Sequence, residues 1–275
     1  MLGDSADRLL QAADRDVSPN EIIVSSSTPK FDFHLSIPTP PITCSFILDY
    51  DQARPVFLFA MNIINQAKEF YVLDGFVTDH VEISQDTSQL YLKMVFFESN
   101  IDRKCKMHKR RIDILSFLCQ QISQEHYLSL IRQLLFELGE CYSTLLDLKL
   151  EQKTDLNSSK TSEKISHLAQ QGVSTFEQFL STMNDKKTGV KPETYDDDYL
   201  RPVLLAYFYL GRFHSKFLTN RIEHLQKTLE HYQYIVAYVD KHPNSKESIE
   251  QEYEICKEMI GLLPLKIDKL NKTTN

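Results

Sequence analysis

Glycine is scarce in this sequence, with 7 residues in a chain of 275. Helices tolerate this scarcity better than sheets and barrels, whose turns are rich in glycine, and little glycine is left for loops that cradle phosphate groups. The sequence also contains neither a Gly-x-Ser-x-Gly nor a His-Glu-x-x-His motif. These absences argue against an enzyme built on such loops, and we expect no catalytic residue, cofactor or metal site.

Paired cysteines and long apolar runs are also missing. The five cysteines are odd in number, form no Cys-x-x-Cys, and are scattered along the chain: Cys44, Cys105, Cys119, Cys141 and Cys256. A disulfide framework is therefore not expected, and a reducing compartment is favoured. The longest apolar run, Val203 to Leu210, is far too short to span a bilayer, and the N-terminus lacks a charged-then-apolar signal. We expect a cytoplasmic protein without membrane insertion.

The composition that is present is ordinary for a folded chain. Hydrophobic residues make up 42% and charged residues 25%, and the length suffices for one large or two small domains. The net charge of −7 speaks against nucleic acid as a partner and suits a chain that meets a basic protein.

The first 45 residues differ from the rest. They contain a serine run at 25–27 and five prolines, Pro19, Pro29, Pro38, Pro40 and Pro41. Proline lacks a backbone donor, and such composition buries little apolar surface. We therefore predict a partly disordered linker over residues 1–45, followed by a helical-repeat domain over residues 46–275.

A repeated pattern organises the domain. It runs Leu135-x-x-Leu138-Gly139-x-x-Tyr142 in one copy and Tyr207-x-x-Leu210-Gly211-x-x-His214 in the other. Both copies fit the first helix of a tetratricopeptide unit, and about two periods of about 34 residues separate them. Glycine in mid-helix costs roughly 1 kcal/mol relative to alanine. Its recurrence predicts that a neighbouring helix approaches closely at each glycine.

Apolar residues recur at alternating intervals of about four and three along most of the remaining chain, which predicts helices with one buried face. The clearest such seam contains Ile101, Cys105, His108, Ile112, Leu115 and Cys119. A similar seam from Ile249 to Leu270 suits a helix that covers the last repeat. The predicted fold is an all-α, tetratricopeptide-like solenoid of about eight antiparallel helices with a C-terminal capping helix.

Arg103 to Arg111 is the densest cationic cluster, with six Lys or Arg residues. Such a cluster can be a solvated helix face, a partner site or a nucleic-acid site. Because Cys105 and His108 fall on the predicted buried seam, we favour a solvated arc for the six cationic residues. Cys105-x-x-His108 has the residue types and spacing of metal ligands, but no second Cys/His pair lies nearby in the sequence, so we favour core packing over metal binding.

Glu193 to Asp198 forms an acidic turn between two predicted helices. Asp198 is the predicted N-cap of the second helix. Glu193, Asp196 and Asp197 are candidate contacts for a basic partner, the alternative being a merely solvated loop.

Two Glu-His pairs lie seven residues apart on the following helix, at Glu223-His224 and Glu230-His231. Their types are those of acid and base catalysts. Because the other face of that helix is apolar, we interpret both pairs as surface residues.

Several stretches, in the same order along residues 46–270, resemble the C-terminal part of the kinesin-binding protein family. They are Leu73–Glu82, Phe96–Glu98, Arg103–Ile112, Asp147–Lys149, Leu200–Pro202, Leu229–Tyr232, Cys256–Met259 and Leu262–Pro264. The resemblance implies an α-solenoid without catalytic activity that binds kinesin motor domains and keeps them off microtubules. It further implies association with the cytoskeleton, roles in mitochondrial transport and neuronal outgrowth, and a chain that is the C-terminal half of a larger repeat protein.

Two other functions remain open at this point. A tetratricopeptide scaffold can bind an extended peptide in its groove. An RNA-binding protein could use the cationic cluster, and its affinity would then fall steeply with salt.

Overall fold

The structure is a computed structural model that describes residues 46–152 and 159–274. The eight helices of these ranges are α1 (Tyr50–Phe70), α2 (Val77–Phe97), α3 (Ile101–Gln121), α4 (Leu128–Glu151), α5 (Ser159–Ser181), α6 (Asp197–Ser215), α7 (Arg221–Lys241) and α8 (Glu250–Thr274). Two 3-10 turns, Pro243–Ser245 and Glu247–Ile249, lie between α7 and α8. No strand occurs within the described ranges. The linker predicted for residues 1–45 lies outside them.

The chain divides into two compact units, the first ending at Ile114 and the second beginning at Leu115. In the first unit α1 packs against α2, and the buried side chains of Ile47, Ala53, Val56 and Met94 form its core. The carboxylate of Asp49 accepts a hydrogen bond from the backbone N–H of Gln52 at 2.9 Å. This bond satisfies one of the donors that a helix N-terminus leaves free, so α1 begins there.

In the second unit each helix from α4 to α8 packs against the next one along the chain. This order of contacts is that of an α-solenoid, in which each element contacts mainly its neighbours. The prediction of an all-α, tetratricopeptide-like solenoid is therefore confirmed. Its interior contains large side chains with almost no exposed surface, among them Phe176, Phe179 and Phe213.

Three glycines fix how closely α4, α5, α6 and α7 approach one another. An aromatic ring from the next helix lies so close to each of them that an added Cβ would overlap it. The distance from the Cβ position to the nearest ring carbon would be 2.5 Å for Gly139 and Phe176, 2.2 Å for Gly172 and Phe213, and 2.3 Å for Gly211 and Tyr232. Only a residue without a side chain fits at such distances. The close approach predicted at two of these glycines is thus observed, and the third lies on the helix between them.

The last helix, α8, covers α7 with one apolar face. Tyr253, Cys256, Leu263 and Ile267 are buried on that face, as its periodicity predicted. The helix continues through Pro264, whose missing N–H removes one hydrogen bond without ending it.

Alanine in place of Leu138 or Leu210 is expected to lower the free energy of unfolding by about 2–5 kcal/mol, because each is buried and its removal leaves a cavity. Urea unfolding followed by circular dichroism measures the change. Leu262 on the outer face of α8 is 49% exposed and provides the control. Its replacement by alanine should cost less than about 0.5 kcal/mol, and a comparable loss at all three positions would contradict the burial argument.

Candidate functional site

The acidic turn, Glu193–Asp198, ends where α6 begins. Asp196 has extended backbone angles (φ −61°, ψ 148°) and is the N-cap, and its carbonyl accepts hydrogen bonds from the N–H groups of Tyr199 and Leu200. The prediction that Asp198 caps this helix is therefore wrong. Asp197 and Asp198 already have helical geometry and occupy the first turn, where the helix dipole favours negative charge.

The carboxylates of the acidic turn face solvent. Glu193, Asp196, Asp197 and Asp198 are all exposed, and the side chain of Asp196 makes no capping hydrogen bond. Glu193 lies 3.9 Å from the ammonium of Lys241, with the two side chains 89% and 63% exposed. An ion pair this exposed contributes little to stability. The negative charge of the turn is therefore available to a second molecule.

Tyr195 anchors the acidic turn to α7. Its hydroxyl lies 3.3 Å from that of Tyr234, and its ring centroid is 5.8 Å from that of Tyr238. Its backbone N–H also donates to the hydroxyl of Tyr238 at 3.4 Å. The contacts of Tyr195 with Tyr234 and Tyr238 thus fix the position of the exposed carboxylates on either side of it.

A pocket of about 450 Å³ opens beside Tyr195 and Tyr238. The rings of Tyr195 and Tyr238 contribute to its walls, together with Asp197, Lys241 and His242. Nε2 of His242 is buried there without a hydrogen-bond partner among the described residues. Aromatic walls beside carboxylates attract a cationic side chain through the ring faces and through opposite charge.

Lys191, two residues before the acidic turn, contacts tyrosines of both α6 and α7. Its ammonium nitrogen lies 3.2 Å from the ring centroid of Tyr234 and 4.3 Å from that of Tyr207. Burial lowers the pKa of Lys191 to about 8. Tyr234 and Tyr238 lie four residues apart on α7, so both rings face the segment. The sequence pattern did not single out Lys191, because one lysine in a polar loop has no distinguishing neighbours along the chain.

The residues of the repeated pattern lie in the interior of the second unit. Leu135, Leu138, Gly139, Leu210, Gly211 and His214 are buried, and Tyr142 and Tyr207 are half-buried. Tyr207 connects the pattern to the candidate site, because its ring packs 4.1 Å from that of Tyr234 under the Lys191 ammonium. The other members shape the fold rather than the exposed surface.

The interpretation of His224 and His231 as surface residues is wrong. Both are half-buried, because they share a face of α7 with the fully buried Thr228. His224 Nδ1 lies 3.0 Å from Nδ1 of the buried His214, and the ring of His231 stacks 5.5 Å from that of His214. Desolvation, assisted by neighbouring charges, lowers the pKa of His214 to about 3 and that of His231 to about 4.

One member of the cationic cluster is not part of a solvated face. Arg111 is only 4% exposed, and its Nε donates to the hydroxyl of Ser88 on α2 at 3.0 Å. The solvated arc predicted for all six residues is therefore wrong at this position. Arg111 lies three residues after the buried His108, which places it on the same helix face. Cys105 and His108 are buried as predicted.

The described residues contain no group of three or more His, Cys, Asp or Glu side chains arranged to hold a metal ion. None of the helices within residues 46–152 and 159–274 combines the length and apolarity needed to cross a membrane. Within this part of the chain, the acidic turn and its pocket combine exposed carboxylates with tyrosine side chains, and we take them as the candidate functional site.

Comparison with known proteins gives one consistent result. Residues 9–270 match the family model described as KIF-1 binding protein C terminal. The KIF-binding protein of Danio rerio is 38% identical over 257 residues, which cover 91% of this chain and 40% of that protein. The human KIF-binding protein is 39% identical over 228 residues, 81% of this chain and 37% of that one. The KIF-binding protein of Dictyostelium discoideum is 30% identical over 86% of this chain and 40% of its own length.

The chain therefore spans about 40% of the length of the curated relatives that it matches. Among solved structures, a de novo designed helical repeat protein aligns with 98% of this chain and 95% of its own, at 12% identity and a TM-score of 0.32.

Proposed function

Because this chain belongs to the KIF-binding protein family, we propose that it binds kinesin motor domains and prevents their attachment to microtubules. It does so without catalysis, as a cytoplasmic adaptor associated with the cytoskeleton. The family match over residues 9–270 is the observation that carries this proposal. Through control of motors, the protein would support mitochondrial transport and neuronal outgrowth. Neither nucleic acid nor membrane is a partner in this proposal.

The acidic turn is the proposed contact for the motor. A motor surface that binds acidic microtubules has to be basic, and a protein that masks it needs complementary negative charge. Glu193, Asp196 and Asp197 provide that charge, and the adjoining pocket can accept a lysine or arginine side chain against its tyrosine walls. Occupation of the motor's basic surface by these residues would compete directly with tubulin.

Reversing two of these charges tests the contact. Asp196→Lys combined with Asp197→Lys is expected to weaken motor binding about tenfold, because attraction is replaced by repulsion across the interface. Affinity is measured by fluorescence anisotropy with a labelled kinesin motor domain, and microtubule attachment by co-sedimentation. A full-length KIF-binding protein is measured beside the unmodified chain as a reference. The difference between variant and unmodified chain should shrink as ionic strength rises, since salt screens exposed charges.

The matched control changes net charge equally at another surface. Glu230→Lys combined with Glu258→Lys reverses two exposed carboxylates on α7 and α8, and motor affinity should remain within about twofold of the unmodified chain. If both double variants lose affinity alike, only overall charge matters and the acidic turn is not the contact. If neither the unmodified chain nor the full-length reference removes motors from the microtubule pellet, the proposed function is wrong.

Capture of an extended peptide is a second candidate function, favoured by the open pocket between the acidic turn and the C-terminal end of α7. A competition experiment with short peptides distinguishes this function from motor binding. Short basic peptides would then displace the partner from the chain, whereas recognition of a folded motor surface needs contacts that no short peptide supplies.

A further inference from the structure

We propose that the outer face of α8 is a self-association surface, through which two copies of this chain pair with their α8 helices antiparallel. Six exposed positions form an outer stripe along this helix, and they recur at helical intervals. They are Glu254, Glu258, Leu262, Leu265, Lys269 and Lys272. This inference goes beyond the proposed function and does not depend on it.

The outer stripe lies on the side of α8 that does not pack on α7. The buried residues of α8, such as Cys256 and Leu263, belong to the packed face, and helical periodicity places the outer stripe on the other side. Leu265 is 66% exposed and Leu262 is 49% exposed, and Ile255 beside them is 46% exposed. Three large apolar side chains thus contact water on one side of a single helix. Burial against a partner's apolar surface would therefore be favourable.

Charge is separated along the outer stripe. Its N-terminal half contains the carboxylates of Glu254 and Glu258, its C-terminal half contains the ammonium groups of Lys269 and Lys272, and the leucines lie between them. Two such stripes that run in the same direction would place like charges opposite one another. When they run in opposite directions, the carboxylates of each copy face the ammonium groups of the other copy.

One antiparallel register satisfies the apolar and the charged positions together. A two-fold axis midway between Leu262 and Leu265 places Leu262 of each copy opposite Leu265 of the other. The same axis places Glu258 opposite Lys269 and, within one residue, Glu254 opposite Lys272. A two-fold interface requires a surface that is complementary to itself. This self-complementarity identifies a second copy of the chain as the partner.

Charges of the same chain lie beside the outer stripe. Glu254 contacts Lys246 at 3.4 Å and Lys257 at 3.8 Å, in exposed ion pairs that contribute little to stability. Lys257 and Asp268 depart from the separation of charge, but they lie about a quarter turn round the helix from Leu265. There the antiparallel pairing brings Lys257 of one copy towards Asp268 of the other. Glu258 and Lys269 are therefore the clearest pair to test.

The size of the surface sets the strength of the association. A helix of 25 residues is about 37 Å long, and a contact about 10 Å wide buries on the order of 700 Å² in total over both copies. Stable interfaces bury at least about 1,200 Å². We therefore expect a weak dimer with a dissociation constant of about 10–100 µM. Unfolding experiments at a few micromolar then report on the monomer.

Sedimentation velocity of the whole chain between about 5 and 200 µM measures the association. Leu265→Glu is expected to raise the dissociation constant at least about tenfold, because it would bury a carboxylate between the two helices. The position is exposed in the single chain, so the variant should fold normally, which circular dichroism verifies.

Exchange of charges tests the register. Glu258→Lys and Lys269→Glu should each raise the dissociation constant at least about fivefold, because each places like charges opposite one another. The double variant restores both pairs and should return to within about twofold of the unmodified chain, and an equimolar mixture of the two single variants should do the same. Glu230→Lys reverses one exposed charge on α7. As the matched control it should leave the dissociation constant within about twofold.

A chain that stays monomeric at about 200 µM overturns the proposal. So does a double variant or a mixture that fails to regain association. If Leu265→Glu weakens the binding of a kinesin motor domain to a chain that does not associate, the motor and not a second copy covers this face. A chemical cross-link between Lys269 and Lys30 of one monomeric chain would instead assign the face to the N-terminal segment.

Discussion

Leucine in place of Gly139 is expected to lower the free energy of unfolding by at least about 3 kcal/mol. A Cβ at this position would lie 2.5 Å from the ring of Phe176. That ring is fully buried and stacked on Tyr209, with centroids 5.0 Å apart and planes 6° from parallel, so it has no free space into which to move. Insertion of a side chain therefore forces α4 and α5 apart. Urea unfolding monitored by circular dichroism measures the loss.

Gly261 provides a matched control, because it lies inside α8 and a Cβ added there would have no neighbouring heavy atom within 4 Å. Leucine there should be neutral or stabilising by up to about 1 kcal/mol, since glycine is a poor helix former. A double-mutant cycle tests the contact between Gly139 and Phe176. Gly139→Ala should cost less when Phe176 is already leucine than when it is phenylalanine. If the two glycines respond alike to leucine, the close helix approach does not depend on Gly139.

Acid should destabilise the protein strongly between about pH 6.5 and pH 4. The unfolded chain has histidines of ordinary pKa, near 6.5, whereas burial lowers the pKa of His214 to about 3 and that of His231 to about 4. In this pH range the unfolded state therefore binds protons that the folded state does not, and the free energy of unfolding falls as the pH falls. Each such histidine contributes a slope of at most about 1.4 kcal/mol per pH unit.

Phenylalanine in place of His214 tests this origin of the acid sensitivity. The variant keeps an aromatic ring beside His231 and Phe217 but removes a titrating group, so its stability should fall less steeply from pH 6.5 to pH 4. Urea unfolding at a series of pH values gives the slopes. Leu210→Ala is the control, because removal of a buried apolar side chain lowers stability without changing proton binding. A slope unchanged by His214→Phe would show that other groups, such as carboxylates, cause the acid loss.

The helices were predictable because each buries one face. Residues on that face recur with the helical period, and Cys105 and His108 followed the period into the core as the pattern indicated. Arg111 shows where this reasoning needed refinement. Its spacing from His108 placed it on the same face, but its charge led to an exposed assignment, and only the structure shows Ser88 as a buried partner for its Nε.

The candidate site was predictable in part. The carboxylates of Glu193, Asp196 and Asp197 stand out in the sequence because they are close neighbours along the chain, and all three are exposed. The residues that hold the acidic turn in place do not stand out in the sequence. Tyr234 and Tyr238 come from α7, some forty positions downstream of the turn, and no local pattern connects them to Lys191 or Tyr195. The same holds for His214 and His224, which approach each other only after α6 and α7 have packed.

The order and spacing of residues were enough to establish the all-α architecture, the repeated Leu-Gly pattern and the family, because each of these depends on neighbours along the chain. Packing in three dimensions selected the aromatic rings that lie against Gly139, Gly172 and Gly211, and it placed a lysine of the loop on tyrosines from two helices. The sequence could not determine these contacts because helical periodicity specifies which face of a helix is buried but not which residues cover that face. The partner of that face depends on the shapes of side chains distant in the sequence, which have to fill the interior without voids.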